Sequence, residues 1–288
     1  MVPARMPSWR RRLLQVLPRL GVHVRDVPSG VLASRGSGPR VHALSDDLAV
    51  VSRRRLERFE REKQLVRFLV HQHVVTILRL YRIDCVIDVG ANHGQFARRL
   101  RGAGYRGHIV SFEPVTETFA RLAASAAGDP KWSVHRCALG REEAVATMHV
   151  VPGTLSSVLA PTEFGYDRYR QFHAATTEDV PVRRLDAVLD GVTAGLGEPR
   201  LYLKLDTQGY DLEVFAGLGE RAREFVGLQS EVAVMQIYEG MPMMPEALAA
   251  YTAAGFEITA LYPVSRQSRT GRVVEFDCVM VRADALPQ

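Results

Sequence analysis

The sequence predicts an α/β fold, a mostly parallel seven-stranded sheet with helices on both faces and an antiparallel last strand. Three observations predict it. From residue 84 onward, apolar stretches of strand length alternate with stretches of helical spacing, the order expected of a parallel sheet covered on both faces. Only about ten residues, among them Ser268, Arg269, Thr270, Gly271 and Arg272, join the last two strands; this is too short and too polar for a crossover helix, so the final strand runs antiparallel. A composition of 47% apolar and 24% charged residues supports a sizeable core.

Residues 1–40 carry eight arginines against Asp26 alone, a local charge of +7 that leaves −2 for the remaining chain. Trp9 to Leu20 mixes Arg with Leu and Val at roughly helical spacing. That suits either a solvated tail or a short amphipathic helix, cut by Pro18, making weak peripheral contact with an acidic membrane surface. Residues 28–40, rich in Gly, Ser and Pro, read as linker, so 1–55 form a basic N-terminal extension and linker. Leu56 to Tyr81 contains no Pro or Gly, and Leu65, Leu69, Val70, Val74, Ile77, Leu78 and Tyr81 recur at helical spacing, which makes 56–83 a lead-in helix. The domain proper is 84–288. Its strands are expected at 84–89, 108–112, 132–136, 201–205, 226–231, 256–262 and 273–281, and its helices at 95–103, 116–127, 211–218 and 244–254, with Gly104 and Gly255 at helix C-termini.

Composition also narrows the function classes. Cys85, Cys137 and Cys278 are widely separated and show no zinc-binding spacing, which fits a reducing, cytoplasmic setting. No apolar stretch approaches the roughly 20 residues of a membrane span, and Arg10–Arg12 precede only a short Leu13–Leu17 run, not a signal peptide. Because the charge excess is confined to the N-terminal arm, no nucleic-acid partner is expected.

Chemistry concentrates where strands end. Cys85-Val-Ile-Asp88-Val-Gly90-Ala-Asn92-His-Gly94-Gln-Phe96 is an apolar strand running into a glycine turn and a helix. Gly90 and Gly94 permit tight backbone and close approach of a ligand. The helix start offers free N–H groups to a carboxylate, and Asp88 stands ready for an ammonium. Glu113, 23 residues beyond Gly90, ends the second strand, where an acid accepts both hydroxyls of a ribose. Cys137 and Ala138 follow the third strand, where small residues suit an adenine edge, although Cys137 reads equally as packing. Such a set suits a cofactor joining an amino acid to an adenosine. A dinucleotide loop would read GxGxxG, a spacing that Asn92 and Gly94 break.

The fourth strand delivers Leu203-Lys204-Leu205-Asp206-Thr-Gln-Gly209-Tyr-Asp211-Leu-Glu213. Lys204 and Asp206 share one face, either as a mutual ion pair or at the reacting group. Asp211 and Glu213 fit the next helix's first turn, as caps or as functional acids. Glu231 ends the fifth strand and faces Asp206; two facing carboxylates suit either shared base duty or a divalent metal ion. Tyr238 and Glu239 are expected at the acceptor. The connection 151–181, with Tyr166, Tyr169, Phe172 and His173, reads as an aromatic lid.

At these residues the sequence resembles the FkbM family of methyltransferases, from roughly Ile83 to Arg282. The resemblance rests on Asp88-Val-Gly-Ala-Asn-His-Gly94-Gln-Phe, Gly107-His-Ile-Val-Ser-Phe-Glu113-Pro, Ala138-Leu-Gly140, Ser156-Ser157, Val182-Arg-Arg-Leu-Asp186 and Lys204-Leu-Asp-Thr-Gln-Gly209-Tyr-Asp. It implies a class I methyltransferase, Rossmann-like fold, S-adenosyl-L-methionine as donor, and O-methylation of hydroxyls on polyketides, sugars or glycolipids. It also implies that Asp88, Gly90, Gly94 and Glu113 are cofactor residues. One departure is Gln208-Gly209, where the family often has Glu-Gly. In the expected reaction Asp206 is the first choice of general base, then Glu231, then His173. The rival readings are an NAD-dependent reductase, disfavoured by the glycine spacing and terminal hairpin, and a catalytically silent cofactor-binding scaffold.

Overall fold

The structure, a computed structural model, describes residues 22–27, 30–35, 40–43, 49–52 and 58–287, with side chains from residue 62. The arginine-rich stretch 9–20 lies outside the described residues. The chain divides into two compact units, residues 1–65 and 66–288. In the first, β1 (Val22–Val27) pairs antiparallel with β2 (Gly30–Arg35), and β3 (Arg40–Ala43) with β4 (Ala49–Ser52). The linker reading of 28–40 is thereby corrected. Val31-Leu32 and Val41 carry enough strand preference to pair.

Helix α1 (Arg58–Leu80) leads into the second unit, and Val66, Val70, Val74, Ile77 and Leu78 form its buried stripe. The stripe is rotated slightly from the expected one, since Leu69 faces outward while Val66 and Val75 are buried. Strand β5 (Cys85–Val89) follows, then α2 (Gln95–Gly102), β6 (His108–Phe112), α3 (Thr116–Ala126) and β7 (Trp132–His135). The chain then makes a small sheet from β8 (Ala138–Leu139), β9 (Ala144–Val150) and β10 (Thr176–Arg183). Helices α4 (Glu163–Arg168) and α5 (Leu185–Val192) flank β10 in sequence. The main sheet resumes with β11 (Leu201–Leu205), α6 (Asp211–Ala216), β12 (Phe225–Ala233), α7 (Met244–Ala253), β13 (Phe256–Arg266) and β14 (Val273–Arg282).

Seven strands lie in the order β13-β14-β12-β11-β5-β6-β7, and β14 alone runs antiparallel to its neighbours. This is the class I methyltransferase fold. Alternation along each strand sorts side chains into two cores. Ile87, Val110, Leu203 and Leu228 face a core that includes residues of α5, α6 and α7, whereas Val86, Ile109, Tyr202 and Val279 face one that includes residues of α1, α2 and α3. Chain order reverses at the β5–β11 boundary, the place in an open α/β sheet where ligands bind beyond the carboxyl ends of the strands.

The small sheet is a correction to the lid reading, because half of 151–181 is regular structure. β10 concealed itself through Pro181 in its middle, a residue expected only where a strand edge is free. The edge is free there, since β8 pairs only with Val182 and Arg183.

Gly90 (φ +73°) and Gly94 (φ +76°) meet the left-handed condition expected of them, but their missing Cβ atoms face protein. A Cβ on Gly90 would lie 2.0 Å from the Asp206 carbonyl oxygen, and one on Gly94 2.6 Å from the Trp132 ring. Overpacking costs about 1–3 kcal/mol and a left-handed non-glycine residue roughly 1–2 more. Gly90→Ala is therefore predicted to lower stability by at least about 2 kcal/mol in thermal denaturation. Gly102→Ala, whose Cβ meets nothing within 4 Å, serves as the reference and should change it by less than about 1 kcal/mol.

Candidate active site

A single polar network crosses one face of the sheet at the carboxyl ends of its strands. Trp132 Nε1 donates to Ser111 Oγ at 3.0 Å, and Ser111 Oγ donates to Asp88 Oδ2 at 3.2 Å. Lys204 Nζ lies 3.0 Å from Asp88 Oδ1 and 3.2 Å from Asp206 Oδ2, and donates to the Gly90 carbonyl at 3.3 Å. Gln208 Nε2 then reaches Asp206 Oδ1 at 3.1 Å and Glu231 Oε2 at 3.2 Å. The residues share a face because β5, β11 and β12 are parallel and in register, with Asp88 opposite Lys204 and Lys204 opposite Gln229.

Each expected residue has a definite place. Asp88 is completely buried, its carboxylate engaged by Lys204 and Ser111, and it offers no exposed oxygen of its own. Lys204 is also buried. Burial alone would lower its ammonium, but the charges of Asp206 and Asp88 and their hydrogen bonds raise it above the ordinary lysine value, so it remains a cation. Asp206 stays partly open, its side chain 36% exposed.

Glu113 accepts from the backbone N–H of Asn92 at 2.9 Å and of Val115 at 3.1 Å. It ties the glycine turn to the end of β6 while leaving each carboxylate oxygen able to accept again. Burial raises its carboxyl to about 7 despite those two N–H groups and the charge of Lys204. Asn92, in the left-handed region at φ 50°, accepts from His93 N–H and Gln95 Nε2 and donates to the Gly153 carbonyl. It is the knot that holds the turn.

Cys137 and Ala138 stand apart from this group. Cys137 packs against the core on the α5 side, where burial raises its thiol to about 11, and Ala138 is buried in the small sheet. Asp211 resolves to local structure, accepting from Thr207 N–H and Oγ1 and from Ser230 Oγ. Glu213 pairs with Arg141 at the surface. His173 is exposed and lies against Tyr166, not against Asp206 or Glu231. Tyr238 is buried, and Glu239 is exposed.

Sequence reasoning gave Trp132 no role, and named Ser157 only within a motif of the family resemblance and Gln208 only as a departure from it. Ser157 Oγ donates to the Gln208 carbonyl at 2.8 Å, and the Tyr238 hydroxyl lies 3.0 Å from both Leu155 O and Gln208 Oε1. Together with Thr162 on Ile237 and Glu239 N–H on Ala160, these bonds dock the connection after β9 onto the loop after β12. Phe172 stacks edge-on against Tyr238, with Tyr166 and Tyr169 around it, so the aromatics form a packed wall. The sequence signals were the Ser156-Ser157 pair and the Gln208-Gly209 departure.

At the acceptor end, Glu231, Glu275 and Asp277 lie on the same face as Asp206, with Glu231 directly opposite Asp277. Burial followed by the charge of Asp206 raises Glu231 well above the carboxylate range and Glu275 to about 7. Burial raises Asp277 to about 6, against a hydrogen bond from Gln229. Among the described residues, no group of three or more His, Cys, Asp and Glu side chains is arranged to hold a metal ion. No helix among them is long and apolar enough to cross a membrane.

The residues present fit S-adenosylmethionine. Helix α2 starts at Gly94 without any side-chain cap, so its first N–H groups are unclaimed, and Gln95 Oε1 is buried beside them without a partner. Glu113, with spare acceptor capacity, stands at the neighbouring strand end.

The profile of the methyltransferase FkbM domain matches residues 88–258. A curated relative, methyltransferase sdnD of Sordaria araneosa, is 27% identical over 210 residues, covering 65% of this chain and 79% of the relative. Among solved structures, magnesium protoporphyrin IX methyltransferase of Synechocystis PCC 6803 with bound S-adenosylmethionine is 11% identical, with a TM-score of 0.43 over 80% of this chain and 86% of that one. Aeropyrum pernix fibrillarin, also with S-adenosylmethionine, is 12% identical, with a TM-score of 0.42 over 91% and 94%. With the profile spanning more than half of the sequence and its ends falling on Asp88 and strand β13, this chain belongs to the FkbM-domain methyltransferases.

Proposed function

We propose that the chain is an S-adenosylmethionine-dependent O-methyltransferase acting on a hydroxyl of a sugar, glycolipid or polyketide-type small molecule. The observation that carries this reading is the junction of two differently built halves at the tips of β5 and β11. One half, made of the α2 start, Asn92 and Glu113, has the donors and acceptors for an amino-acid group and a ribose. The other, made of Asp206 and Glu231, has carboxylates for a hydroxyl proton. Lys204 joins them.

When bound, S-adenosylmethionine supplies an electrophilic methyl group carried on a sulfonium. The first N–H groups of α2 would hold its carboxylate, and Glu113 its ribose hydroxyls. The chain's remaining work is to align an acceptor oxygen and remove its proton, since an alcohol is a poor nucleophile while protonated. Both oxygens of Asp206 already accept, from Lys204 and Gln208. Glu231 Oε1 has no hydrogen-bond partner among the described residues, and its proton affinity is raised by burial and by its acidic neighbours. Glu231 therefore takes the acceptor proton, and Asp206 orients the hydroxyl. The Tyr238–Phe172 wall closes the site on the side of the small sheet.

Three outcomes test this. In calorimetric titration the wild type is expected to bind S-adenosylmethionine and its demethylated product, and Glu113→Ala to weaken both by about 1.5–3 kcal/mol; binding of NADH instead would overturn the assignment. In a screen of sugar, glycolipid and polyketide hydroxyls with labelled methyl donor, Glu231→Gln should cut turnover by roughly 10²–10⁴-fold with little change in cofactor affinity. An equal loss in both quantities would place Glu231 in the fold rather than the reaction.

The third outcome concerns pH. Glu275 and Asp277 have folded values of about 7 and about 6, above the roughly 4 of an unfolded carboxyl. Between those limits the folded state holds more protons, so their contribution to stability is largest below about pH 4 and is lost as pH rises to about 7. The fall in thermal midpoint across that window should be shallower in Glu275→Gln and in Asp277→Asn than in wild type. Parallel curves would mean these acids ionise at ordinary values.

A further inference from the structure

Gln208 occupies a position that its backbone would not choose. Its φ is +55°, left-handed and costly for a residue other than glycine unless the surroundings fix it. The surroundings do. Its carbonyl accepts Ser157 Oγ, its Oε1 accepts the Tyr238 hydroxyl, and its Nε2 spans Asp206 Oδ1 and Glu231 Oε2. The carboxylates set which way round the amide sits, because turning it over would place its oxygen against two carboxylate oxygens, whereas the Tyr238 hydroxyl, with Leu155 O as its other acceptor, suits either end.

Two carboxylates that converge on one point within hydrogen-bond distance need something positive between them: a cation, a shared proton, or N–H donors. No nearby cation bonds Glu231 among the described residues. Lys204 pairs with Asp206 Oδ2 and Asp88, Arg99 lies within electrostatic reach of Asp88, Asp206 and Asp277, and Arg168, on α4, donates to Ser265 and the Arg266 carbonyl. Glu275 and Asp277 add negative charge behind the pair. The two hydrogens of the Gln208 amide are what separates Asp206 from Glu231.

We propose that Gln208 is a positioning residue of the acceptor site, its carboxamide standing where a bridging divalent cation would otherwise be needed to hold Asp206 and Glu231 together. With Glu231 Oε2 tied to the amide, Oε1 is the oxygen left to meet the acceptor. The proposal rests on the reading of this pair as the acceptor-activating groups, but the bridge itself is testable without any acceptor.

The experiment compares the full-length wild type, Gln208→Glu, and the exchange Gln208→Glu with Glu231→Gln, by thermal denaturation in EDTA and in millimolar MnCl₂. Wild type should show the same midpoint in both. Gln208→Glu, with three converging carboxylates, should drop by several degrees in EDTA and recover with manganese. The exchange returns an amide to the cluster and should regain most of the midpoint in EDTA. The proposal is overturned if manganese stabilises wild type as much as Gln208→Glu, if Gln208→Glu matches wild type in EDTA, or if the exchange is no better than the single variant. Should Gln208→Glu be insoluble, the exchange decides: a soluble, EDTA-stable protein supports the bridge and an insoluble one refutes it. Titration with the demethylated cofactor product runs in parallel, so that failure of wild type to bind it counts against methyl transfer and leaves the bridge measured on its own terms.

Discussion

The Lys204 ammonium, buried between Asp88 and Asp206, is the interaction on which the rest of the site depends. A buried cation is tolerable only when its charge is matched, and here it lies between the carboxylates of Asp88 and Asp206 and donates to the Gly90 carbonyl. These partners belong to the two strands that flank the reversal of chain order and to the turn between sheet and helix. Removing the ammonium would leave Asp88 buried and uncompensated in the sheet, and would release the turn from the β11 tip. The close approach of Gly90 to the Asp206 carbonyl is the steric counterpart of the same junction, possible only because Gly90 has no side chain.

From that cation the network runs in two directions with different consequences. Toward β7 it passes through Asp88 and Ser111 to the Trp132 indole, whose ring also fills the space beside Gly94. This arm is buried, and it packs against the start of α2 through the Trp132 ring beside Gly94. Toward β14 it passes through Asp206 and Gln208 to Glu231, where negative charge accumulates without an equal number of cations. In this arm burial and the neighbouring carboxylates raise the acids above the ordinary carboxylate range. One side of the sheet therefore carries a buried hydrogen-bonded end and an acidic end, joined by a single lysine.

Much of this was legible in the sequence, for physical reasons that differ by element. β5 and β11 are buried on both faces and read as near-continuous apolar runs, so a charge inside them, Asp88 or Lys204, announces a purpose. The short polar link before β14 declared the antiparallel strand. The glycine turn was visible, yet its reason was not: spacing cannot show that Gly94 makes room for Trp132, 38 positions later. β8, β9 and β10 were hidden because a half-exposed three-stranded sheet with a central proline has neither an apolar run nor clean alternation. Cys137 and Ala138 were assigned by their place after a strand, and they pack in cores away from the Lys204 network.

Gln208 shows why substitutions at such a junction are not read from residue type alone. As a departure from a family pattern it looks like the loss of a carboxylate. In the structure it is a gain of two donors at the one point where two carboxylates meet, held by a serine from the segment after β9 and a tyrosine from the loop after β12. Those same contacts dock that segment against the sheet, so the placement of Glu231, the wall of aromatics and the closure of the acceptor side are one structural event. A change in any of Ser157, Gln208 or Tyr238 acts on all three together, which makes the amide a coupling between the packing of the aromatic wall and the placement of Glu231.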